Sequence, residues 1–348
     1  MRVLAETAYP ATAPSPRVRI ADFAPFLRAE GVDLRYAPSL SEREYAITQS
    51  RASTARKAAV LARSLARLAA GGKGDHDLRL VHRMRSLVPL PGLDPPRRLD
   101  VYDFDDALFL GSISRANARF GWVKREAATW VAYVRSARLV LAGNSFLAQR
   151  ASEHAQRVEV MPSCVDPAAQ PLHEHTAGGP ITVGWIGSSS TSAYLTQILP
   201  AFERINRART RARLVLVGAA GAFRAPWIER REWSLETQAT DLASFDVGIM
   251  PLPDDAWTRG KCGFKLLQYF SAGVPAIASP VGVARSMVST RRGVLADSVD
   301  DWEGGLEALI SDPDMRREQG AAARRFVELE YSYQRWAPEL ADLLRSMG

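Results

Sequence analysis

Residues 257–278, WTRGKCGFKLLQYFSAGVPAIA, decide how the chain is read. A basic loop punctuated by Gly260 and Gly263 opens a helix expected over Phe264–Ser271. Gly273 and Pro275 end that helix and deliver the chain to a buried strand, Pro275–Ala278. Lys261, Gly263, Phe264 and Lys265 combine backbone N–H groups, a helix dipole and ammonium charge, which is chemistry suited to a diphosphate. Gln268 lies one turn beyond Phe264, within reach of a ribose hydroxyl, and Leu266 is assigned to the same donor-binding set. The plainer alternative is an ordinary basic loop before an amphipathic helix.

Outward from that stretch, short β-type runs alternate with helical ones along the whole chain. The first set of strands is Arg2–Ala5, Asp33–Tyr36, Leu78–His82, Leu99–Phe104, Arg138–Gly143 and Val158–Met161, with helices over Ile20–Glu30, Ser53–Ala70 and Ala116–Ser136. The second set is Ile181–Ile186, Arg213–Val217, Phe245–Met250, Pro275–Ala278 and Gly293–Leu295. Its further helices are expected over Ser192–Arg207, Trp302–Ser311 and Asp314–Leu329. Such alternation predicts an α/β protein with parallel sheets covered on both faces. Residues 167–180, PAAQPLHEHTAGGP, lack an apolar period and read as a linker. The expected organisation is a Rossmann-like acceptor domain over 1–166, the linker, a Rossmann-like donor domain over 181–330 and a C-terminal helix in 331–348 that crosses back to the first domain. Two doubly wound domains of this kind would face a cleft at the C-terminal ends of their strands.

The chain has 348 residues, 47% of them hydrophobic, and two cysteines, Cys164 and Cys262. Two cysteines in a chain of this length exclude a disulfide scaffold, and two free thiols in a reducing compartment are expected. With 45 Lys and Arg against 38 Asp and Glu, the net charge of +7 favours acidic partners such as phosphates and nucleotides. No zinc-finger spacing or aromatic-basic RNA motif accompanies it, so nucleic acid is not an expected partner. No apolar run approaches the roughly 20 residues of a membrane helix. The opening MRVLAETAYPATAPSP has no signal-peptide core, so a soluble, cytoplasmic protein is expected.

Four further features carry potential chemistry. Val183–Thr191, VGWIGSSST, is a strand running into a small-residue turn before a helix. Gly187 lets backbone approach a ligand, and Ser188 and Ser189 suit an anion, although a Ser/Thr-capped turn would look the same. Asp103-Phe104-Asp105-Asp106 ends a strand and has the form of a divalent-cation motif. The alternative is pairing with Arg97, Arg98 or Arg115, and the metal-free reading is preferred because the phosphate-type loop lies in the other domain. His82-Arg83 ends another strand, with His82 a candidate general acid or base, or else structural. Between Glu44 and Asp75 stand six basic residues and no acid, with Leu61, Leu65 and Leu68 on one helical face and Arg56, Arg63 and Arg67 on another. That helix could rest on an anionic membrane, but a solvated face is the preferred reading.

The run from Asp246 to Val283, DVGIMPLPDDAWTRGKCGFKLLQYFSAGVPAIASPVGV, resembles family 4 of the nucleotide-sugar glycosyltransferases. GWIGSSSTSAYL, Gly184–Leu195, is similar to the glycine loop that opens their donor domain, and VYDFDDALF and LAGNSFLA are similar to segments of one branch. The resemblance implies a GT-B fold, donor binding by the second domain, acceptor binding by the first, and retaining, metal-independent transfer without a cofactor. It also implies two glutamates with seven residues between them before the Gly-x-Pro turn, where this chain has Gly260 and Gln268. The phosphate-holding Arg and Lys implied after the first donor strand are replaced by Ser188–Ser190, so Arg259, Lys261 and Lys265 are expected to supply the charge.

The catalytic candidates are therefore His82, Arg259 and Lys265. The donor-side candidates are Gly187, Ser188, Ser189, Trp233, Lys261, Gly263, Phe264, Leu266 and Gln268, with Trp233 as a wall for the base. The acceptor-side candidates are Arg83, Asp105 and Asp106, with no metal ligand. The expected partners are a nucleotide-sugar donor and an acceptor that is a natural product, a glycan or lipid-linked. Two other classes compete. One is an inactive nucleotide-sugar binder, suggested by Gly260 and Gln268. The other is a nicotinamide-dependent oxidoreductase, disfavoured because no G-x-G-x-x-G follows the first strand of either domain.

Overall fold

The computed structural model describes residues 1–50, 52–70, 75–89, 94–111, 126–175, 180–208 and 211–348. It divides into two compact units. The first comprises Met1–Cys164, Gly260–Cys262 and Tyr333–Gly348, and the second Val165–Arg259 and Gly263–Ser332.

The first unit is built on six parallel strands: β1 (Arg2–Thr7), β2 (Asp33–Pro38), β3 (Leu78–His82), β4 (Val101–Phe104), β5 (Leu139–Ala142) and β6 (Val158–Val160). Their order is β2-β1-β3-β4-β5-β6, so the winding direction reverses between β1 and β3. His82 ends β3 and therefore sits at the switch point, where such sheets bind ligands. The Tyr333–Arg345 helix buries Tyr333, Ala337, Leu340, Ala341 and Leu344 in this unit's core, beside Phe23 and Leu27. The i, i+4, i+7, i+8, i+11 spacing of those residues places them on one helical face.

The second sheet comprises β7 (Ile181–Ile186), β8 (Ala212–Val217), β9 (Ile228–Arg231), β10 (Val247–Met250), β11 (Ala276–Ala278) and β12 (Gly293–Leu295), in the order β12-β11-β10-β7-β8-β9. This is the Rossmann order, with its reversal between β7 and β10. Leu214 and Leu216 of β8 face one core and Val215 and Val217 the other, which is why the strand reads as an unbroken apolar run. Each such fully buried side chain contributes about 1.5–3 kcal/mol. Two strand glycines make the packing possible. A Cβ on Gly184 would lie 2.0 Å from the Phe245 ring, and one on Gly248 would lie 2.3 Å from the Tyr269 ring.

Several elements differ from expectation. β9, with the sequence IERR, was not foreseen as a strand because it is short and charged. The helix expected over Ser192–Arg207 is a 3-10 stretch, Ser192–Gln197, followed by a separate helix, Leu199–Ile205. Pro200 lacks an N–H, so it starts the second helix rather than continuing the first. The helix expected over Ile20–Glu30 is confined to Ala24–Ala29 and preceded by a wide turn at Arg17–Ala21. Of the helix expected over Ala116–Ser136, Glu126–Ser136 is observed, and 116–125 lie outside the described residues, as do Arg51, Lys73 and Arg115. Residues 167–175 pack within the second unit, with the His173 amide donating to Ala272 O at 2.8 Å. Among the described residues, no helix is long and apolar enough to cross a membrane. Cys164 and Cys262 are both free, and burial pushes the Cys164 thiol up to about 12.

The basic helix is observed as Thr54–Ala69. It buries Val60 and Ser64, while Leu61, Leu65 and Leu68 are only half-buried. Arg63 Nε lies 3.3 Å from Glu44 Oε1, and Arg67 Nη2 lies 2.5 Å from Glu44 Oε2. Two of the three arginines assigned to a solvated face are thus paired to the neighbouring Glu42–Gln49 helix. Burial acts to raise the Glu44 carboxyl, but the Ser41 amide and hydroxyl and the Arg67 guanidinium outweigh it and hold it down at about 2.

Candidate functional site

In the second unit, two motifs separated by some seventy residues meet at the switch point of the sheet. Gly187 follows β7, and its amide donates to Val217 O at 3.1 Å. A Cβ on Gly187 would lie 2.6 Å from the Trp185 ring and 2.8 Å from Lys265 Cε, so the lysine stem rests directly on the glycine turn. Lys265 Nζ stands 5.3 Å from the centroid of the Trp185 ring. The Phe264–Ser271 helix that carries this lysine starts from Gly263 in the left-handed region, at φ 67°. No side chain caps it. A side chain at Gly263 would also meet Met287 Sδ at 2.7 Å. Tyr269 fixes the arrangement from below. Its hydroxyl donates to Ile249 O at 3.0 Å and accepts from the Ile186 amide at 3.2 Å, tying β7 to β10.

Around that turn, Ser188 Oγ lies 2.8 Å from Ser190 Oγ, and Ser188 O accepts from the Thr191 amide at 3.1 Å. Ser189 is exposed on the same turn. Trp233 stands beside Gly218, whose φ of 75° and close approach to Gly187 O require glycine. A Cβ there would fall 3.0 Å from Trp233 Cβ and 2.5 Å from Gly187 O. The half-exposed Trp233 indole donates to Gln238 Oε1 at 3.2 Å. Gln268 is buried. Phe264 packs against the core, and Leu266 is fully buried within it. The Leu266 amide donates to Gly263 O at 2.8 Å, so neither its side chain nor its N–H is presented to a ligand.

The basic loop is divided between the units. Arg259 belongs to the second, half-exposed, with Nε 2.6 Å from Asp254 Oδ1. Lys261 belongs to the first, with Nζ donating to Asp106 Oδ1 at 2.7 Å. Lys261 thus pairs with a carboxylate of the first unit. Asn144, the N-cap of the Ser145–Ser152 helix, holds this short segment by donating from Nδ2 to Gly260 O at 3.0 Å and to Lys261 O at 3.3 Å.

At the switch point of the first unit lies a closed network of charges. His82 is fully buried, with Nδ1 2.6 Å from Asp103 Oδ2 and Nε2 2.7 Å from Ser15 Oγ. Ser15 in turn donates to Asp105 Oδ2 at 2.7 Å. Arg19 donates to both oxygens of Asp103 and, at 2.6 Å, to Met161 O. Arg83, held at a positive φ of 56°, donates to Asp105 Oδ1 at 2.6 Å and also to Asp106 Oδ2. Burial acts to raise the Asp103 and Asp105 carboxyls, but Arg19, His82 and Arg83 outweigh it and hold both below their ordinary value. The partners foreseen for these aspartates were Arg97, Arg98 or Arg115. The observed partners are Arg19, Arg83 and Lys261, while Arg98 pairs with Asp100. Three carboxylates thus face three permanent cations. Arg19 and Ser15 escaped sequence reading because nothing local marks them. Asn144 carried a signal, the N-cap pattern Gly-Asn-Ser before a helix.

Two six-stranded parallel sheets in one chain fit the two Rossmann-like domains of the GT-B fold. Comparison with known proteins narrows this. Residues 200–342 match the family described as Glycosyl transferase-like. A GDP-mannose-dependent monoacylated alpha-(1-6)-phosphatidylinositol monomannoside mannosyltransferase of Corynebacterium glutamicum is 29% identical over 176 residues, covering 43% of each chain. The match thus spans less than half of that curated relative. Among solved structures, sucrose-phosphate synthase from Thermosynechococcus elongatus superposes with a TM-score of 0.74 at 13% identity, covering 99% of this chain and 98% of that one. Anabaena HepE in complex with UDP-glucose gives 0.66 at 13% identity, covering 99% and 100%. WaaG, a glycosyltransferase involved in lipopolysaccharide biosynthesis, gives 0.64 at 14% identity, covering 99% of each chain. The fold is that of GT-B glycosyltransferases, and the second half of the chain is similar in sequence to glycosyltransferases.

Proposed function

We propose that the protein is a glycosyltransferase that moves a sugar from a nucleoside diphosphate sugar to an acceptor hydroxyl, with retention and without a metal ion. The observation that carries this reading is the Lys265 stem lying on the Gly187 turn. It joins an ammonium group, uncapped helix amides and a close-approach glycine at one switch point, which together suit a diphosphate. Trp233 offers a stacking surface for the base, and the buried Gln268 amide a partner for a ribose hydroxyl. Arg259, half-exposed beside Asp254, adds charge once the anion arrives.

The sugar–phosphate bond breaks as the acceptor oxygen approaches from the same face. The leaving diphosphate, stabilised by Lys265 and the helix amides, takes the hydroxyl proton. No protein nucleophile is needed. The first unit's aspartates fit this reading, since their lowered pKa values and cationic partners make them poor proton donors. His82, closed between Asp103 and Ser15, acts as a positioning residue for Asp105 and Arg83 on the acceptor side.

The relatives use different donors, GDP-mannose in the mannosyltransferase and UDP-glucose in HepE. The test is therefore a thermal-shift screen with UDP, GDP, ADP and dTDP and their sugars, followed by donor turnover with the ligand that binds. A ligand at about 100 times its Kd adds about 2.7 kcal/mol of stability. Affinity with neither transfer nor donor hydrolysis would favour an inactive binder, and no stabilisation by any nucleotide would overturn the assignment.

A further inference from the structure

At the opposite edge of the second sheet, where its strands begin, three side chains outside the donor site converge. His173 Nε2 lies 3.1 Å from Asp246 Oδ1, and His175 completes a group in which one donor atom from each residue lies within 4.8 Å of the others. Every other polar atom of the three is held by backbone. His173 Nδ1 meets Ala243 O at 2.8 Å, His175 Nε2 meets Gly273 O at 2.9 Å, and Asp246 Oδ2 accepts the Thr182 amide at 2.8 Å.

A neutral imidazole carries one N–H. Where each ring gives it to its carbonyl, His173 Nε2 and His175 Nδ1 are left with lone pairs. The latter atom is buried and has no hydrogen-bond partner. In that tautomer two nitrogen lone pairs and a carboxylate oxygen make up the group. This is the donor set of a zinc-type site, whose ligating histidines characteristically give their other N–H to a carbonyl. Four-coordinate donors at 2.0–2.1 Å from a metal stand about 3.3 Å apart, close to the observed His173–Asp246 separation. Among the described residues Arg316 faces the group, and its Nη1 donates to Leu309 O and Ile310 O.

We propose that His173 Nε2, His175 Nδ1 and Asp246 Oδ1 bind one divalent transition-metal ion of the zinc type, with water completing the shell. The ion fastens the segment entering the second unit to the starting edge of its sheet. Its role is structural, because β7 separates it from the Gly187 turn by six residues, roughly 20 Å of strand.

Untagged protein dialysed against chelator and then titrated with zinc is expected to bind one ion per chain and to melt a few degrees higher. Cobalt is expected to give the visible absorption of a four-coordinate N/O site. His175→Gln and His173→Gln should abolish both while leaving nucleoside diphosphate affinity unchanged. The cobalt spectrum of the unmodified protein decides the matter if the variants fold poorly. An unchanged melting temperature with no bound zinc would mean that a proton on His173 satisfies Asp246 alone, and would overturn the proposal. So would equal zinc binding by the double variant.

Discussion

Replacing Lys265 removes one ammonium group at the point where helix, glycine turn and Trp185 meet. Two variants separate its charge from its packing. Lys265→Met keeps an unbranched stem against Gly187, where the structure places Cε 2.8 Å from the position of an added Cβ. Lys265→Ala removes the stem as well. A charge-assisted hydrogen bond to a phosphate oxygen is worth about 1.5–3 kcal/mol, and about 1.4 kcal/mol is a factor of ten, so either variant should weaken nucleoside diphosphate binding roughly 10–150-fold. The 5.3 Å contact with Trp185 adds about 0.5–1 kcal/mol to folding, so both variants should also melt slightly lower without ligand. Calorimetric titration with UDP and GDP measures the first effect, and ligand-free thermal unfolding the second. A Lys265→Met variant that binds its nucleotide as tightly as the unmodified protein would refute the placement of the diphosphate.

Transfer is expected to persist in EDTA, assayed below the melting temperature of the chelated protein. Loss that magnesium or manganese restores would sink the metal-free mechanism. Trp233→Ala should weaken nucleotide binding by about 1–3 kcal/mol, the usual worth of a base stacked on an aromatic ring, and an unchanged Kd for the nucleoside diphosphate would free that tryptophan from the role. The Glu44 carboxyl is held down at about 2, below its unfolded value, so its contribution is fully present above about pH 4.5 and is lost as pH falls through 2. Glu44→Gln should therefore destabilise by about 1–3 kcal/mol at pH 7 and far less at pH 2, as chemical denaturation at the two pH values would reveal. Because Arg63 and Arg67 are paired to Glu44, anionic liposomes should not carry the protein in flotation. Salt-sensitive co-flotation lost in an Arg56/Arg63/Arg67→Glu variant would point instead to a lipid-linked acceptor.

The strands of both sheets were legible because parallel strands covered on two faces must be apolar throughout, as in the LVLV of β8. β9 was not, because an edge strand escapes that demand. The Gly187 turn and the Phe264–Ser271 helix start were legible because glycine conformation and exposed amides are local properties. Lys261 reads as a phosphate ligand from its neighbours in sequence, and nothing local foretells its pairing with Asp106, 155 residues away. His173 and His175 read as linker composition, and only the fold sets them against Asp246. Burial and backbone conformation are decided within a few residues, so sequence alone carries them. Which charge meets which depends on how distant segments close on one another, and in a low-dielectric interior a charge takes whatever partner that closure brings within a few ångströms.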